Sequence, residues 1–182
     1  MADIGHESWN RSLETPRLEL VPLLPHHADE LVSALADDRL YHFTGGAALD
    51  LDELRQRFEL WSNRRSPDGT ELWLNWVIRH RENARSLGTV QATVVIGKER
   101  VVADVGWMVW VQHQGRGYAT EATQALVSWL FDCGVEEVVA HIHPAHAASG
   151  RVAAKIGIKP TEEWQLGERR WRRSTGKPTP QS

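Results

Sequence analysis

The chain lacks the residues that mark several classes of protein. It has a single cysteine, Cys133, which excludes an intrachain disulfide, and its place at the apolar end of a predicted helix favours packing over reactivity. No stretch approaches the roughly 20 apolar residues that a membrane-spanning helix needs, and the N-terminal residues lack the apolar core of a signal peptide. We therefore expect a cytoplasmic protein with no membrane partner.

An excess of charge of one sign is also missing. The formal net charge is −3, so no overall field attracts nucleic acid, and none is expected as a partner. One local basic cluster is most simply a solvated edge strand, although an interaction protein that uses this hairpin remains an alternative. Its members are Arg169, Arg170, Arg172 and Arg173.

Length and composition suit one domain. With 182 residues, 41% of them hydrophobic and 25% charged, the chain can bury one substantial core but not two, and it has no internal repeat. We assign residues 1–174 to a single domain. Residues 175–182, which include Pro178 and Pro180, are predicted to be a disordered tail.

Changes of hydrophobic period locate the secondary structure. The predicted elements are a strand near 18–22, a helix from Pro25, a helix at 50–64 capped by Asp50 or Asp52, strands at 71–80, 86–96 and 100–111, a helix at 117–133, a strand at 137–143, a helix at 147–156 and a hairpin around Gly167. The three central strands should form an antiparallel meander. A mixed, twisted sheet with helices on both sides accommodates this order, because a helix connects the third of those strands to the next and allows the two to run parallel.

The loop at residues 112–117, Gln-His-Gln-Gly-Arg-Gly, is the most informative segment. It joins an apolar strand to a helix that starts near Tyr118. Its two glycines free the turn to direct several backbone N–H groups at one place, where the helix dipole favours an anion. This pattern predicts a site for a diphosphate-bearing cofactor, with Arg116 as a cation at the rim. A turn without a ligand is the alternative that a lone glycine pair leaves open.

Two other phosphate loops fit poorly. A Walker loop ends in Gly-Lys-Ser/Thr, whereas Gly117 is followed by Tyr118 and Ala119. A dinucleotide fingerprint needs a third glycine where Thr120 stands, and it opens a βαβ unit rather than following a hairpin.

The order of the segments resembles a known family. A Q-x-x-G-x-G motif follows an aromatic strand and opens a long amphipathic helix, and a short strand and a serine-containing helix ending in Lys155-Ile156-Gly157 come next. This arrangement resembles the acetyl-CoA site of the GNAT superfamily of N-acetyltransferases. Residues 15–20, 40–44, 103–107 and, most specifically, 115–122 resemble the branch that contains the ribosomal-protein N-terminal acetyltransferases.

The resemblance implies the fold and the cofactor site. The fold would be α/β (α+β mixed), with a twisted mixed sheet that is mostly antiparallel, a splayed parallel pair of strands, and helices on both faces. In that family the edge of the strand before the loop pairs with the pantetheine arm of acetyl-CoA, and loop amides hold the pyrophosphate. The implied cofactor-binding residues are Met108, Val109 and Trp110 on the edge, Gln112, Gln114, Gly115, Arg116, Gly117, Tyr118 and Ala119 in the loop, and His146 and Ser149 near the thiol.

The implied reaction is attack of a primary amine on the thioester, which needs a proton acceptor and an acid for the leaving thiolate. Asp104 stands where the branch has an acidic residue, usually Glu, so we expect it to take the proton directly or through water. Ser149 is expected to protonate the thiolate. Two plainer readings stay open: Asp104 faces solvent on an alternating strand, or the Ser149 hydroxyl binds a backbone group.

Two positions depart from the family pattern. His146 stands where the family has Asn, a better N-cap. Ala153 stands where many relatives have a tyrosine that acts as the general acid. Both departures permit an alternative function, a non-catalytic acyl-CoA-binding or regulatory module of the same fold.

Histidines and tryptophans provide further candidates. His141 and His143 share a strand face and precede His146, but no carboxylate completes a zinc site, so we expect no metal. Trp73 and Trp76 are an odd number of residues apart, so one of them should point away from the core and line the acceptor cleft.

The acceptor stays undetermined among protein N-termini, amino sugars, polyamines and amino acids, and a monomer or homodimer is expected. A cationic acceptor is favoured if the acidic residues of helix 50–64 face the cleft, and an acidic one if its arginines do. The acidic set is Asp50, Asp52 and Glu53; the basic set is Arg55, Arg57, Arg64 and Arg65.

Overall fold

The computed structural model describes Trp9 and residues 11–175, so all but the first residue of the predicted tail lies outside the described part. Within it the elements are β1 (Leu13–Glu14), β2 (Leu18–Pro22), α1 (His27–Leu35), α2 (Leu51–Ser62), β3 (Glu71–His80), β4 (Ser86–Ile96), β5 (Val101–Val109), α3 (Tyr118–Asp132), β6 (Glu137–Ile142), α4 (Ala147–Lys155), β7 (Lys159–Gln165) and β8 (Glu168–Ser174). Short 3-10 turns cover Asp38–Tyr41 and Val111–His113.

One sheet contains all eight of these strands, in the order β1-β2-β3-β4-β5-β6-β8-β7. Every neighbouring pair is antiparallel except β5 and β6, which are parallel and connected by α3. The predicted meander of β3, β4 and β5 is confirmed, and the predicted hairpin between β4 and β5 is closed by a 3.0 Å hydrogen bond from Gly97 N–H to the Arg100 carbonyl. The mixed sheet with one parallel pair agrees with the expected fold class.

Helices cover both faces of the sheet, as predicted. Consecutive strand residues point to opposite faces, and on β3 the side chain of Trp76 joins the core under α3 and α4 whereas that of Val77 joins the core under α1 and α2. Trp76 is buried and Trp73 is half-buried on the opposite face, which agrees with their predicted separation. No helix among the described residues is both long enough and apolar enough to cross a membrane.

Several predicted boundaries differ from the structure by one or two residues, and two of these differences have a local cause. Helix α1 begins at His27 rather than at Pro25, because the Pro25 carbonyl accepts from Ala28 N–H in a tight turn ahead of the helix (3.0 Å). Strand β5 ends at Val109 rather than at 111, because Trp110 leads into the 3-10 turn, where its carbonyl accepts from His113 N–H at 2.7 Å.

Strands β5 and β6 diverge soon after they meet. Their register contains only the pairs Val102↔Glu137, Ala103↔Val138 and Asp104↔Val139, after which β6 continues beside β8 alone. The rest of β5 therefore pairs with no described strand on that side. This separation is the splay that the family resemblance implied, and it opens a wedge with Asp104 at its vertex.

Candidate active site

The glycine loop leaves a row of backbone donors free at the start of α3. Gly115 and Gly117 have φ values of 76° and 82°, in the left-handed region that favours glycine, and Gly117 caps the helix without a side chain. Within the described chain, the N–H groups of residues 115–120 make no hydrogen bond, whereas that of Gln114 donates to the Val111 carbonyl at 3.3 Å. The free amides at 115–119 are a ready anion site, and the Gln114 amide, also expected there, is already engaged.

Residues between β1 and β2 hold this loop in place. The Arg17 guanidinium donates to the Arg116 carbonyl (3.1 Å) and to the Glu121 carboxylate (2.6 Å), and the main-chain N–H of Arg17 also donates to that carboxylate (2.9 Å). Thr15 Oγ1 also donates to Glu121 (2.6 Å), and the Arg17 guanidinium lies over the buried Tyr118 ring, 4.8 Å from its centroid. The sequence marks residues 15–20 only through the family resemblance and gives no sign that Arg17 and Glu121 support the loop.

The edge of β5 offers a ligand fewer main-chain N–H and C=O groups than the sequence predicts. Trp110 N–H donates to the Leu87 carbonyl of β4 at 2.8 Å. Since main-chain groups alternate in direction along a strand, Met108 also directs its groups to β4, and Val109 directs its groups to the open side. The Val109 carbonyl accepts from Gln114 Nε2 (2.9 Å), which leaves the Val109 N–H for a ligand. By the same alternation Val105 and Trp107 face the wedge, although the sequence did not single out their main chains.

The side chains of these residues are distributed unevenly. Trp110 is buried under α1 and α2 with Met108 packed beside it, Ala119 packs against the other core, and Gln112 and Arg116 are exposed. The Trp110 Nε1 atom is buried without a hydrogen-bond partner among the described residues. The site therefore depends on the backbone of this segment more than on its side chains.

A cavity of about 90 Å³ occupies the wedge between β5 and β6. Its size suits a small acyl group rather than a drug-sized ligand, for which roughly 300–1,000 Å³ is usual. The lining residues are Phe43, Thr44, Val105, Gly106, Trp107, Ala140, His141, Ile142, His143, His146, Ser149 and Glu168. A larger concavity of about 690 Å³ lies beside the bulge between β7 and β8, but it contains none of the loop or wedge residues, so the site belongs in the smaller one.

Asp104 lies at the vertex of the wedge and is bound to a histidine. Its Oδ2 is 2.9 Å from His141 Nδ1, and 46% of its side chain is exposed against 18% for His141. Burial raises the pKa of Asp104, while the charge and hydrogen bond of His141, followed by the charge of Arg170, lower it; the net pKa lies above the ordinary value. Asp104 is thus neither a plain solvent-facing carboxylate nor an isolated base.

Ser149 and His146 form the opposite wall at the start of α4. His146 caps the helix through Nδ1, which accepts from Ser149 N–H at 3.0 Å, so the histidine does the work expected of the family's Asn. Burial lowers the pKa of His146, which favours the neutral ring that this cap requires. The Ser149 hydroxyl makes no hydrogen bond within the described chain, and the Phe43 ring packs edge-on against His146, with centroids 4.4 Å apart.

The remaining sequence candidates lie elsewhere or are engaged. In the described segments, histidine, cysteine, aspartate and glutamate residues form no group of three or more that could hold a metal ion. Burial raises the pKa of the half-buried Cys133 thiol, which suits packing rather than nucleophilic chemistry. Trp73 donates to Glu71 (2.8 Å) and does not line the cavity.

The basic hairpin is largely neutralised within the domain. Arg169 pairs with Glu162, Arg170 pairs with Glu137 and Glu163, and Arg173 lies over the Phe131 ring. These internal contacts make the hairpin part of the fold, which weakens the alternative of an interaction protein that binds anions there.

Comparison with known proteins identifies the class. The chain matches the family described as acetyltransferase (GNAT) domain over residues 17–159, which is most of its length. The protein therefore belongs to the GNAT acetyltransferase family, and the resemblance predicted from the sequence is confirmed.

Individual relatives are distant. The uncharacterized N-acetyltransferase YoaA of Bacillus subtilis is 22% identical over 148 residues, covering 81% of this chain and 82% of YoaA. Among solved structures, RimL, the ribosomal L7/L12 α-N-protein acetyltransferase in complex with coenzyme A, has a TM-score of 0.73 at 16% identity, covering 90% of this chain and 98% of RimL. The microcin C7 self-immunity acetyltransferase MccE, in complex with acetyl-CoA and AMP, has a TM-score of 0.71 at 16% identity, covering 88% and 93%. At such identities the structural likeness establishes the fold.

Proposed function

We propose that the protein is an acetyl-CoA-dependent N-acetyltransferase that moves an acetyl group directly to a primary amine. The observation that carries this proposal is the meeting of two features: free amides at the start of α3, and a wedge between β5 and β6 that ends at Asp104. The structures of RimL in complex with CoA and of MccE in complex with acetyl-CoA support the same ligand.

The residues present fit that ligand. A Cβ atom at Gly115 would meet nothing within 4 Å, so the loop is open to an approaching phosphate. The amides of 115–119 would hold the pyrophosphate, with Arg116 at the rim, and the inward groups of Val105, Trp107 and Val109 would pair with the pantetheine arm. When bound, acetyl-CoA supplies the activated thioester.

The chain's own residues would then manage protons and access. The acceptor nitrogen loses a proton on the Asp104 side of the wedge, and the departing sulfur takes one from the Ser149 hydroxyl, which faces the same cavity. Phe43 and His146 close the wall beside Ser149, which limits water at the reacting atoms. Ala153 is fully buried and has no hydroxyl, so it supplies no acid.

The test combines binding and turnover. Calorimetry should show binding of CoA, and incubation of acetyl-CoA with a panel of amines should release free thiol for some of them. Mass spectrometry of the product should then show one acetyl group on nitrogen. Tight CoA binding with no thiol release from any amine would instead favour the acyl-CoA-binding module.

A further inference from the structure

The pair formed by Asp104 and His141 contains an unused nitrogen. His141 lies on β6, two residues past Val139, which pairs with Asp104 across the parallel strands, so both side chains share one face of the sheet. His141 Nδ1 contacts Asp104 Oδ2 at 2.9 Å. In the part of the chain that the structure describes, His141 Nε2 has no hydrogen-bond partner, yet it is not one of the buried polar atoms that lack one. His141 lines the wedge cavity.

The chemistry of this arrangement favours the ring over the carboxylate as proton acceptor. A proton on Nδ1 that is donated to Asp104 leaves the lone pair of Nε2 directed away from the carboxylate. An imidazole is the commonest general base in enzymes, and an adjacent carboxylate stabilises the imidazolium that forms when it takes a proton. The same logic makes Asp104 the group that fixes the tautomer and orientation of the ring.

We propose that His141 is the catalytic base of the transfer and that Asp104 is its positioning residue. The proposal rests on the proposed function and deepens it, since it replaces Asp104 as the direct acceptor of the proton.

The proton balance is complete without any further reactant. An ammonium acceptor first loses one proton to solvent, and its nitrogen then forms the N–C bond as the C–S bond breaks. The nitrogen gives a second proton to His141 Nε2, which later releases it to water. The sulfur leaves as thiolate and takes a proton from Ser149 Oγ, which solvent reprotonates.

Charges around the ring come from every neighbouring element. Arg170 of β8 lies opposite His141 in the sheet register, but its guanidinium is occupied by Glu137 and Glu163. The other titratable groups that share the cavity are Glu168 on β8, His143 after β6 and His146 at the start of α4, with His42 beside Phe43. The carboxylate in direct contact is that of Asp104, so its effect on the ring should dominate.

The decisive variant is His141→Asn, whose amide can still donate to Asp104 but offers no base. We expect kcat to fall by roughly 10²-fold or more, CoA affinity to stay within about twofold, and the acidic limb of the kcat/KM profile to disappear. The double variant with Asp104→Asn should be no slower than His141→Asn alone, because the two residues act as a unit. His26→Asn, an exposed histidine outside the wedge, is the matched control.

The rival reading predicts a different outcome. If Asp104 takes the proton itself, loss of the His141 charge removes an influence that lowers the pKa of Asp104, so the acidic limb should move to higher pH. An upward shift with kcat within a few fold of wild type would overturn the proposal while leaving the acetyltransferase function intact. No thiol release by the wild-type protein with any amine would instead overturn the proposed function and this inference together.

Discussion

Asp104 is subject to opposing influences, because burial raises its pKa while His141 and Arg170 lower it. The net rise means that the folded protein holds this proton more tightly than the unfolded chain does. Above the folded pKa, the ionised carboxylate therefore costs stability. This direction, together with its place at the vertex of the wedge, agrees with the proposal that Asp104 serves the reaction rather than the fold.

The first prediction follows from this sign. Asp104→Asn removes the charge but keeps the shape, so its melting temperature at neutral pH should be equal to or above that of wild type, while its kcat falls. Thermal unfolding and steady-state kinetics on the same preparation check both. A clearly lower melting temperature would make Asp104 a structural residue.

The second prediction concerns Ser149. Ser149→Ala keeps the N–H that His146 accepts from and removes only the free hydroxyl, so CoA affinity and folding should not change. The loss in kcat should stay below the roughly 10²–10⁴-fold typical of general catalysis, because a thiol with a pKa of about 8.5 leaves readily without help. Ser149→Thr is the control that keeps a hydroxyl. Equal turnover by all three proteins would remove Ser149 from the mechanism.

At the scale of elements, the start of α3 joins a ligand site to a structural clamp. Gly117 turns the chain into the helix with its first amides free, and Arg17 reaches the loop from the residues just before β2. A Cβ at Gly117 would lie 3.4 Å from Arg17 Nη2, so any larger side chain there meets both the clamp and the incoming phosphate.

The third prediction is that Gly117→Glu abolishes CoA binding, because a side chain and a negative charge would enter the pyrophosphate site. Gly134→Glu is the matched control, since Gly134 also has a positive φ (91°), with nothing within 4 Å of its Cβ position, at the far end of α3. Calorimetry on both folded variants checks it. Unchanged affinity in Gly117→Glu would refute the loop assignment.

The fourth prediction concerns the clamp in acid. Burial raises the pKa of Glu121, but hydrogen bonds from Thr15 and from Arg17 outweigh this and leave the pKa below its ordinary value. The stabilisation is thus complete above the unfolded pKa and is lost as pH falls through the folded pKa. Glu121→Gln should cost about 1–2 kcal/mol at neutral pH, less than a buried charged hydrogen bond, because 46% of the Arg17 side chain is exposed.

Urea unfolding at neutral pH and in acid measures this difference. The difference in the free energy of unfolding between wild type and Glu121→Gln should narrow as the pH falls, because Glu121 is then protonated and as neutral as the glutamine. A gap that stays constant with pH would mean that packing, rather than the charge of Glu121, stabilises the clamp.

At the scale of the whole molecule, the charges that surround the acceptor come from unexpected elements. Asp50 closes a capping box with Glu53, and Arg55 pairs with Asp29 and Asp52, so much of the α2 charge is used locally. Besides Asp104 at the vertex of the wedge, the carboxylate that lines the cavity belongs to Glu168 on β8, which shares the cavity with Phe43. The preference for a cationic acceptor stays a prediction, but it now depends on Glu168 rather than on the acidic residues of α2.

The fifth prediction is that matched amines which differ only by an added carboxylate are acetylated unequally, with the acidic member slower. A like charge near Glu168 should cost about 1 kcal/mol, or roughly fivefold in kcat/KM, and salt should weaken the effect. Glu168→Gln should narrow the difference. Faster turnover of the acidic amine would contradict the prediction.

The sequence by itself determined the elements and the loop. Hydrophobic period located the central strands and all four helices within a few residues, because periodicity reflects burial on one face. The glycines at 115 and 117 predicted a turn into α3 with unusual backbone freedom, and both adopt a positive φ, since backbone conformation is a local property. Asp50 as the cap of α2 followed from the same kind of local rule.

The tertiary structure decided everything that joins distant segments. The contact of Asp104 with His141, the clamp of Arg17 on Glu121, and Glu168 in the wedge each bring together residues far apart in the chain. Periodicity shows only which face of a strand a residue occupies, not which strand lies beside it or where two strands part. The sequence, through its family resemblance, therefore offered Asp104 as a candidate, whereas the fold supplied the histidine that makes it part of a pair.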